Sequence, residues 1–179
     1  MRAAIQELLE AIGDQQAIQE ETPLRVAEGI AELLDGYEVD IDSLFVTEDD
    51  EGKDQVVIVR NIDFTSLCSH HLLPFSGHAH VGYLPKERVL GVSKIARLVL
   101  AYAHRLQLQE RLTKQVAHTL MERLRPEGVA VVIVGEHTCM RCRGVRSTNS
   151  QVVTSEVLGA FRKEAALRSE FLSLLLVNK

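Results

Sequence analysis

The sequence has no tryptophan, only three cysteines and four prolines among its 179 residues, and it contains no long apolar run. A membrane-spanning helix needs about 18 or more consecutive apolar residues, so none is expected. A small, odd number of cysteines argues against a disulfide framework and suits a reducing compartment. The N-terminus carries acidic residues early and lacks the apolar stretch of a secretion signal, so we expect a cytoplasmic protein.

An excess of positive charge is also missing. The chain has 20 Lys and Arg against 25 Asp and Glu, a formal net charge of −5. General nucleic-acid binding requires a basic face, so neither nucleic acid nor membrane is an expected partner. A small anionic ligand remains compatible, because it needs only a few local cations. The composition, 46% hydrophobic and 25% charged, is typical of a globular protein, and the length fits one domain or one domain with an appended arm.

The spacing of apolar residues predicts both helices and strands. Helical spacing predicts helices over 1–12, from Thr22-Pro23 to Gly36, and from the N-cap Ser93 to about Leu106. It also predicts a helix that carries Leu112, Val116, Leu120 and Leu124, and a last one that carries Phe171, Leu172, Leu175 and Leu176. Alternating or β-branched patterns predict strands over 55–67, 78–84, 128–135 and around 145–157. The acidic segment 37–54 is predicted to be a connecting loop.

This order of elements predicts an α+β fold, because pairs of strands are separated by a pair of helices. We expect a four-stranded antiparallel sheet in which Ala79, Val81 and Tyr83 share one face of a strand. Two helices on one face of four strands leave open sheet edges and apolar surface. The natural way to cover them is to form a homo-oligomer.

The rarest residue types fall in two short segments that follow predicted strands. Cys68 and His71 have the C-x2-H spacing with which a tight turn can bring a thiolate and an imidazole onto one metal ion. A further ligand could come from Cys139 or from Cys142. Three ligands would leave a position open for water or substrate, whereas four would make a closed structural site. The spacing alone favours neither alternative.

Several rare strings in this order resemble the type I GTP cyclohydrolases, and the match extends from about residue 21 to residue 175. The strings are ETPLRVAEG (21–29), SLCSHHLLPFSGHAHVGYLP (66–85), GVSKIARLV (91–99), LQLQERLT (106–113), GVAVVIVGEHTCMRCRGVR (128–146) and RSEFLSLL (168–175). The resemblance implies the tunnelling fold and a ring, typically a decamer of two pentamers, with active sites between neighbouring subunits. It divides the chain into an N-terminal helical arm, 1–54, and a tunnelling-fold catalytic domain, 55–179.

Carried over by position, the resemblance implies a zinc ion on Cys68, His71 and Cys139, with Cys142 as a bystander. The implied reaction is GTP plus water giving formate and 7,8-dihydroneopterin triphosphate, the first step of pterin and folate biosynthesis. A zinc ion with an open position lowers the pKa of its bound water to about 7, which makes water an effective nucleophile toward C8 of guanine.

Proton delivery to the purine ring requires a group that titrates near neutral pH, which an imidazole does. His70 and His137 each flank a predicted metal ligand in sequence, so both are candidates for catalytic acid–base work. The alternative for His137 is a partner that only orients a ligand.

The triphosphate of GTP requires a local cluster of cations. Lys94 and Arg97 lie three residues apart at the start of a predicted helix, next to Ser93, and a helix N-terminus with flanking cations suits phosphate. The resemblance adds Arg143 and, from a neighbouring subunit, Arg25. It also assigns Glu110 to the guanine base, because one carboxylate can accept hydrogen bonds from both N1–H and the 2-amino group.

One position departs from the family pattern. The family usually has Cys-Glu-His-His where this sequence has Ser69 after Cys68, which removes a negative charge beside the predicted ligands. The alternative hypothesis is therefore a weakly active or inactive paralogue that binds GTP or pterin as a regulatory or ring-forming partner. A third hypothesis is a non-catalytic protein stabilised by zinc on a closed site that includes Cys142.

Overall fold

The computed structural model describes residues 1–13, 21–49 and 55–176. Its longer helices are α1 (Arg2–Ile12), α2 (Thr22–Glu32), α3 (Val92–Ala103), α4 (Gln109–Leu124) and α7 (Ala165–Leu175), and its short helices are α5 (Thr138–Arg141) and α6 (Ala160–Lys163). The strands are β1 (Thr47–Asp49), β2 (Val57–Cys68), β3 (Pro74–Leu84), β4 (Arg88–Leu90), β5 (Leu106–Gln107), β6 (Gly128–His137) and β7 (Val152–Gly159). In the part of the chain that the structure describes, no helix is long and apolar enough to cross a membrane.

The main sheet has the strand order β5-β2-β3-β6-β7. The four long strands pair antiparallel, as the sequence predicts. The two-residue strand β5 adds a parallel edge beside the end of β2 and makes the sheet a mixed one. Strands β1 and β4 form a separate antiparallel pair. The predicted α+β class is therefore confirmed, with a fifth strand that the apolar pattern did not reveal.

The core lies between the sheet and the helices α3 and α4. The alternation in β3 buries Ala79, Val81 and Tyr83 completely on this face, as predicted. The opposite face of the sheet carries a smaller apolar cluster formed by α6 and α7. There Phe171 lies directly over Gly82, where an added Cβ would meet its ring at 2.7 Å. The glycine therefore lets α7 pack closely onto the sheet.

Several predicted helix boundaries are wrong. Helix α2 ends at Glu32, and Gly36 instead lies in a 3₁₀ turn over Asp35–Tyr37 that packs against the backbone of α3. Helix α3 is preceded by Gly91, so Ser93 is inside its first turn and does not cap it. The tight approach of Gly36 to the carbonyls of α3 explains the first difference, since only a residue without a side chain fits there.

The predicted helix over 93–106 is also too long, because the chain leaves the helix after Ala103 and Leu106 pairs with β2. The strand predicted around 145–157 begins only at Val152. The residues before it turn back on themselves, with positive φ at Gly144 and Arg146. The predicted loop 37–54 contains a second 3₁₀ turn, Asp42–Leu44, and strand β1, and its residues 50–54 lie outside the described ones.

Candidate metal centre and active site

Three predicted ligands come together at one end of the sheet. One ligand atom each from Cys68, His71 and Cys139 lies within 4.8 Å of the others, so the group could hold a metal ion. The Sγ of Cys68 is 3.9 Å from Nδ1 of His71. Two such ligands on a tetrahedral zinc would be about 3.6 Å apart, so little movement is needed to bind one. Two sulfurs and an imidazole nitrogen are a donor set that suits zinc.

The turn after β2 positions the first two ligands. The carbonyl oxygen of Cys68 accepts hydrogen bonds from the backbone N–H groups of His71 and Leu72. The backbone N–H of Cys68 donates to the carbonyl oxygen of Leu73. Leu72 adopts a left-handed conformation with φ of 55°, which closes the turn within five residues. Gln107 of β5 pairs with Cys68 from the other side. The end of β2 is thus held from both directions, and Cys68 is buried.

The third ligand arrives on the short helix α5, directly after β6. Thr138, the first residue of α5, donates a side-chain hydrogen bond of 2.6 Å to Pro74 O, and Pro74 begins the strand that follows the His71 turn. This contact brings Cys139 to the cluster. Cys142 lies at the other end of the same short helix and is exposed. Among the described residues it does not join the group that could share one ion.

The electrostatics of the cluster favour a bound cation. Burial raises the pKa of the Cys139 thiol, and the neighbouring Cys68 raises it further, whereas a backbone hydrogen bond and the positive charge of Arg143 lower it. Two adjacent thiols resist losing both protons, because two bare thiolates would repel each other. A metal ion between them removes that penalty. The donor atoms and their charges therefore fit a divalent metal.

His137 ends β6 beside the metal group. Its ring stacks on Phe75, with centroids 4.5 Å apart and planes inclined by only 6°, and its Nε2 is 2.8 Å from Oε1 of Gln109. Burial lowers the pKa of His137, and the carboxylate of Glu110 acts in the opposite direction. Glu110 directly follows Gln109, the residue that contacts His137. His70 is exposed, and its ring meets that of His71 edge-on at 5.9 Å.

The structure places the remaining predicted substrate residues elsewhere. Ser93, Lys94 and Arg97 all lie in the first turns of α3. Strand β4 leads directly into that helix. The N–H of Leu90, in β4, donates a hydrogen bond to the hydroxyl of Tyr83. Tyr83 is in turn the register partner of Val57, at the start of β2. Cys68 is at the far end of β2. Since the 12 residues of α3 extend about 18 Å, its N-terminus lies well away from the metal group of the same chain.

Among the described residues, the ion-pair partner of Arg25 is a neighbour at the start of its own helix and not a residue of the metal group. Arg25 lies on α2, exposed, and forms an ion pair with Glu21 one turn earlier. Arg143 differs, because its charge acts on Cys139. One chain therefore brings together the metal group with His137, Glu110 and Arg143, and it leaves the phosphate-binding candidates of α3 at a distance.

Known proteins match this chain over almost its whole length. The family model described as GTP cyclohydrolase I matches residues 1–176. The chain belongs to the GTP cyclohydrolase I family. Proteins named GTP cyclohydrolase 1 from Gloeobacter violaceus, Homo sapiens and Methylococcus capsulatus are 48%, 46% and 46% identical to it. Each alignment covers 98% of this chain, and respectively 83%, 71% and 96% of the relative. The resemblance that the sequence strings indicate is confirmed, and the chain is an enzyme of this family.

Among solved structures, the chain is similar to the crystal structure of the archaeosine synthase QueF-Like in the apo form. That match has a TM-score of 0.49 and 19% sequence identity, and it covers 58% of this chain and 93% of the other.

Sequence reasoning missed Gln109, whose side chain is 1% exposed and contacts His137. Its position beside Glu110 in the string LQLQERLT is the only sequence signal that points to the site. Gly135 was missed as well. A Cβ at this position would come within 2.4 Å of Gln109 Oε1, so the glycine leaves the space that the carboxamide occupies.

Proposed function

We propose that this chain converts GTP and water into formate and 7,8-dihydroneopterin triphosphate. The observation that carries the proposal is the group of Cys68, His71 and Cys139, which offers three ligands and leaves the fourth position of a tetrahedral ion open. Membership of the GTP cyclohydrolase I family supports the same reaction. A closed site with Cys142 is not favoured, because Cys142 is exposed and outside the group.

Zinc is the ion that we propose for this group, on the chemistry of its donors. When bound there, zinc would supply a Lewis acid that lowers the pKa of water to about 7. The chain's own contribution is the geometry: Cys68 is buried at a strand end, and the turn that carries His71 is closed by backbone hydrogen bonds. A ligand set held in this way loses little conformational entropy when it binds metal.

Proton transfer to the purine ring is assigned to His137, with His70 as the second imidazole. His137 is held by stacking and by a hydrogen bond, which suits a group that must meet a reacting atom in a fixed geometry. His70 is exposed in the single chain, so it can exchange protons with solvent or with the later intermediates of the ring closure.

Recognition of GTP is divided between two groups of residues. Glu110 at the start of α4 accepts the guanine N1–H and 2-amino hydrogen bonds, and Arg143 reaches the phosphates from the metal side. Ser93, Lys94, Arg97 and Arg25 bind the triphosphate, and they do so from a neighbouring subunit. The distance along α3 between Lys94 and the metal end of the same chain supports this division.

A homo-oligomeric ring of tunnelling-fold subunits, with ten copies as in the family, is part of the same proposal. In the single chain, Leu8 and Ile12 of α1 are 59% and 64% exposed. Apolar side chains on a helix face are normally covered. We therefore propose that residues 1–54 act as an arm that packs on other subunits and that residues 55–179 form the catalytic domain. A reducing cytoplasmic location is proposed because all three cysteines are free.

Turnover of GTP tests the proposed reaction. Purified protein is incubated with GTP, and both formate release and the absorbance of 7,8-dihydroneopterin triphosphate are followed. We expect equal amounts of the two products, and no turnover of ATP, which lacks the N1–H and 2-amino pair that Glu110 would bind. Binding of GTP without any formate would support the alternative of a non-catalytic paralogue.

A mixed assembly tests whether two subunits build one site. Cys139→Ser and Lys94→Ala subunits are each expected to be inactive alone. If the metal and Lys94 come from different subunits, an equal random mixture leaves about a quarter of the sites intact. Co-expression should therefore recover about that fraction of wild-type activity. No recovery in assemblies shown by native mass spectrometry to contain both variants would place the whole site within one chain.

A further inference from the structure

A buried chain of hydrogen bonds runs from His137 to the backbone of strands β6 and β7. Gln109 is at its centre. Its Nε2 lies 2.8 Å from Val152 O, 3.1 Å from Ile133 O and 3.2 Å from Thr154 Oγ1, and its two N–H groups are shared among these three acceptors. Its Oε1 lies 2.8 Å from His137 Nε2. The Gln109 side chain is thus fully engaged within the protein.

These contacts fix the orientation of the carboxamide. The two backbone carbonyls, on β6 and β7, can only accept hydrogen bonds, so the nitrogen of Gln109 must face them. The reversed amide would place its oxygen against both carbonyls and leave them without this donor, which is unfavourable for buried polar groups. The oxygen of Gln109 therefore faces His137.

The tautomer of His137 follows from that orientation. An amide oxygen only accepts, so the short contact from Nε2 requires a proton on Nε2. In the neutral ring the lone pair then lies on Nδ1. Stacking on Phe75 fixes the plane of the ring, so the direction in which Nδ1 points is fixed as well.

Gly135 independently supports the placement of the Gln109 side-chain oxygen, because its lack of a side chain leaves room for that atom. An ideal Cβ on Gly135 would lie 2.4 Å from Oε1 and 3.3 Å from Cδ of Gln109. Even alanine would push the oxygen out of its place. Strand β6 thus has a residue without a side chain at the point where the hydrogen bond to His137 is made.

We propose that Gln109 is a positioning residue that holds neutral His137 as the Nε2–H tautomer, so that Nδ1 is the atom that exchanges a proton with the substrate. The catalytic part of this inference rests on the proposed function. The tautomer itself does not, because it follows from hydrogen bonds within one chain. The tautomer of His137 and the proposed function can therefore be refuted independently of each other.

Nitrogen NMR of the full-length, metal-loaded protein tests the tautomer directly. The protein is labelled with ¹⁵N-histidine and recorded at a pH where the His137 ring is neutral, and a His137→Phe sample assigns its signals by their loss. We expect a protonated, pyrrole-type Nε2 and an unprotonated, pyridine-type Nδ1. The opposite pattern, a pyrrole-type Nδ1, would overturn the proposal whatever the activity of the protein.

Variants of Gln109 test the consequence for catalysis. Gln109→Leu leaves Nε2–H facing a hydrocarbon, so we expect the tautomer to shift toward Nδ1–H. We also expect kcat to fall by about 10- to 100-fold, part of what positioned proton transfer contributes, with a smaller change in KM. Gln109→Glu, with its second oxygen protonated and donating to Val152 O, keeps an acceptor for Nε2–H and should restore the native tautomer and part of kcat.

Thr113→Val is the matched control for lost stability. The Thr113 hydroxyl bonds to the backbone of Gln109 and to Thr154, and it does not touch the carboxamide. This variant should lower the unfolding temperature but leave kcat and the His137 signals unchanged. If Gln109→Leu retains both the native tautomer and the wild-type kcat while its unfolding temperature matches that of Thr113→Val, Gln109 has only a structural role.

Discussion

Replacing Cys139 with serine is expected to remove the metal ion and to lower kcat for GTP by at least about 1,000-fold, because no activated water remains. A serine hydroxyl is not ionised at neutral pH, so it cannot replace a thiolate ligand. The change leaves only Cys68 and His71 of the three ligands that the structure brings together. Metal content is measured on the purified variant by plasma mass spectrometry, beside kcat for formate release.

Cys142→Ser is the matched control for this experiment, since it makes the same chemical change three residues away on the same short helix. Cys142 is exposed and outside the group of potential ligands, so we expect full metal content and wild-type kcat. Loss of metal from Cys142→Ser would contradict the open site and would support a closed site with four ligands.

Removing the carboxylate of Glu110 is expected to abolish guanine recognition without affecting the metal. Two hydrogen bonds to a charged acceptor are worth about 3–6 kcal/mol together. The kcat/KM for GTP should therefore fall by about 150- to 25,000-fold in Glu110→Ala. Glu110 is in the first turn of α4, and Glu122→Ala near the other end of that helix is the matched control.

The preference for guanine gives this prediction a second readout. The wild-type protein should prefer GTP to inosine triphosphate, which lacks the 2-amino group. Glu110→Ala should lose most of that preference, whereas Glu122→Ala should keep it. An unchanged ratio of the two kcat/KM values in Glu110→Ala would refute the assignment, even if total activity fell.

Much of the fold could be predicted because strand and helix periodicities are strong where one face is buried. The alternation around Val81 and the helical spacing from Leu112 to Leu124 both matched their elements. The α+β class and the GTP cyclohydrolase I family are confirmed. Strand β5 could not be predicted, because two residues are too few for a period. Its pairing depends on contacts with β2 that are distant in sequence.

The site was less accessible to sequence reasoning. Cys139 and Cys142 are equally plausible ligands by spacing, and they separate only when the contact of Thr138 with Pro74 orients helix α5. The contacts of Gln109 depend on two strands that lie far from it in sequence. The identity of the metal, the roles of the site residues, the ring and the cytoplasmic location stay predictions.

The most direct test of the central claim is a metal titration of GTP turnover. The protein is stripped with a chelator, shown by circular dichroism to remain folded, and titrated with zinc while formate release is measured. We predict no turnover in the stripped protein and a linear rise that ends at one zinc ion per chain. Wild-type turnover in the metal-free protein would contradict a water-activating metal on Cys68, His71 and Cys139.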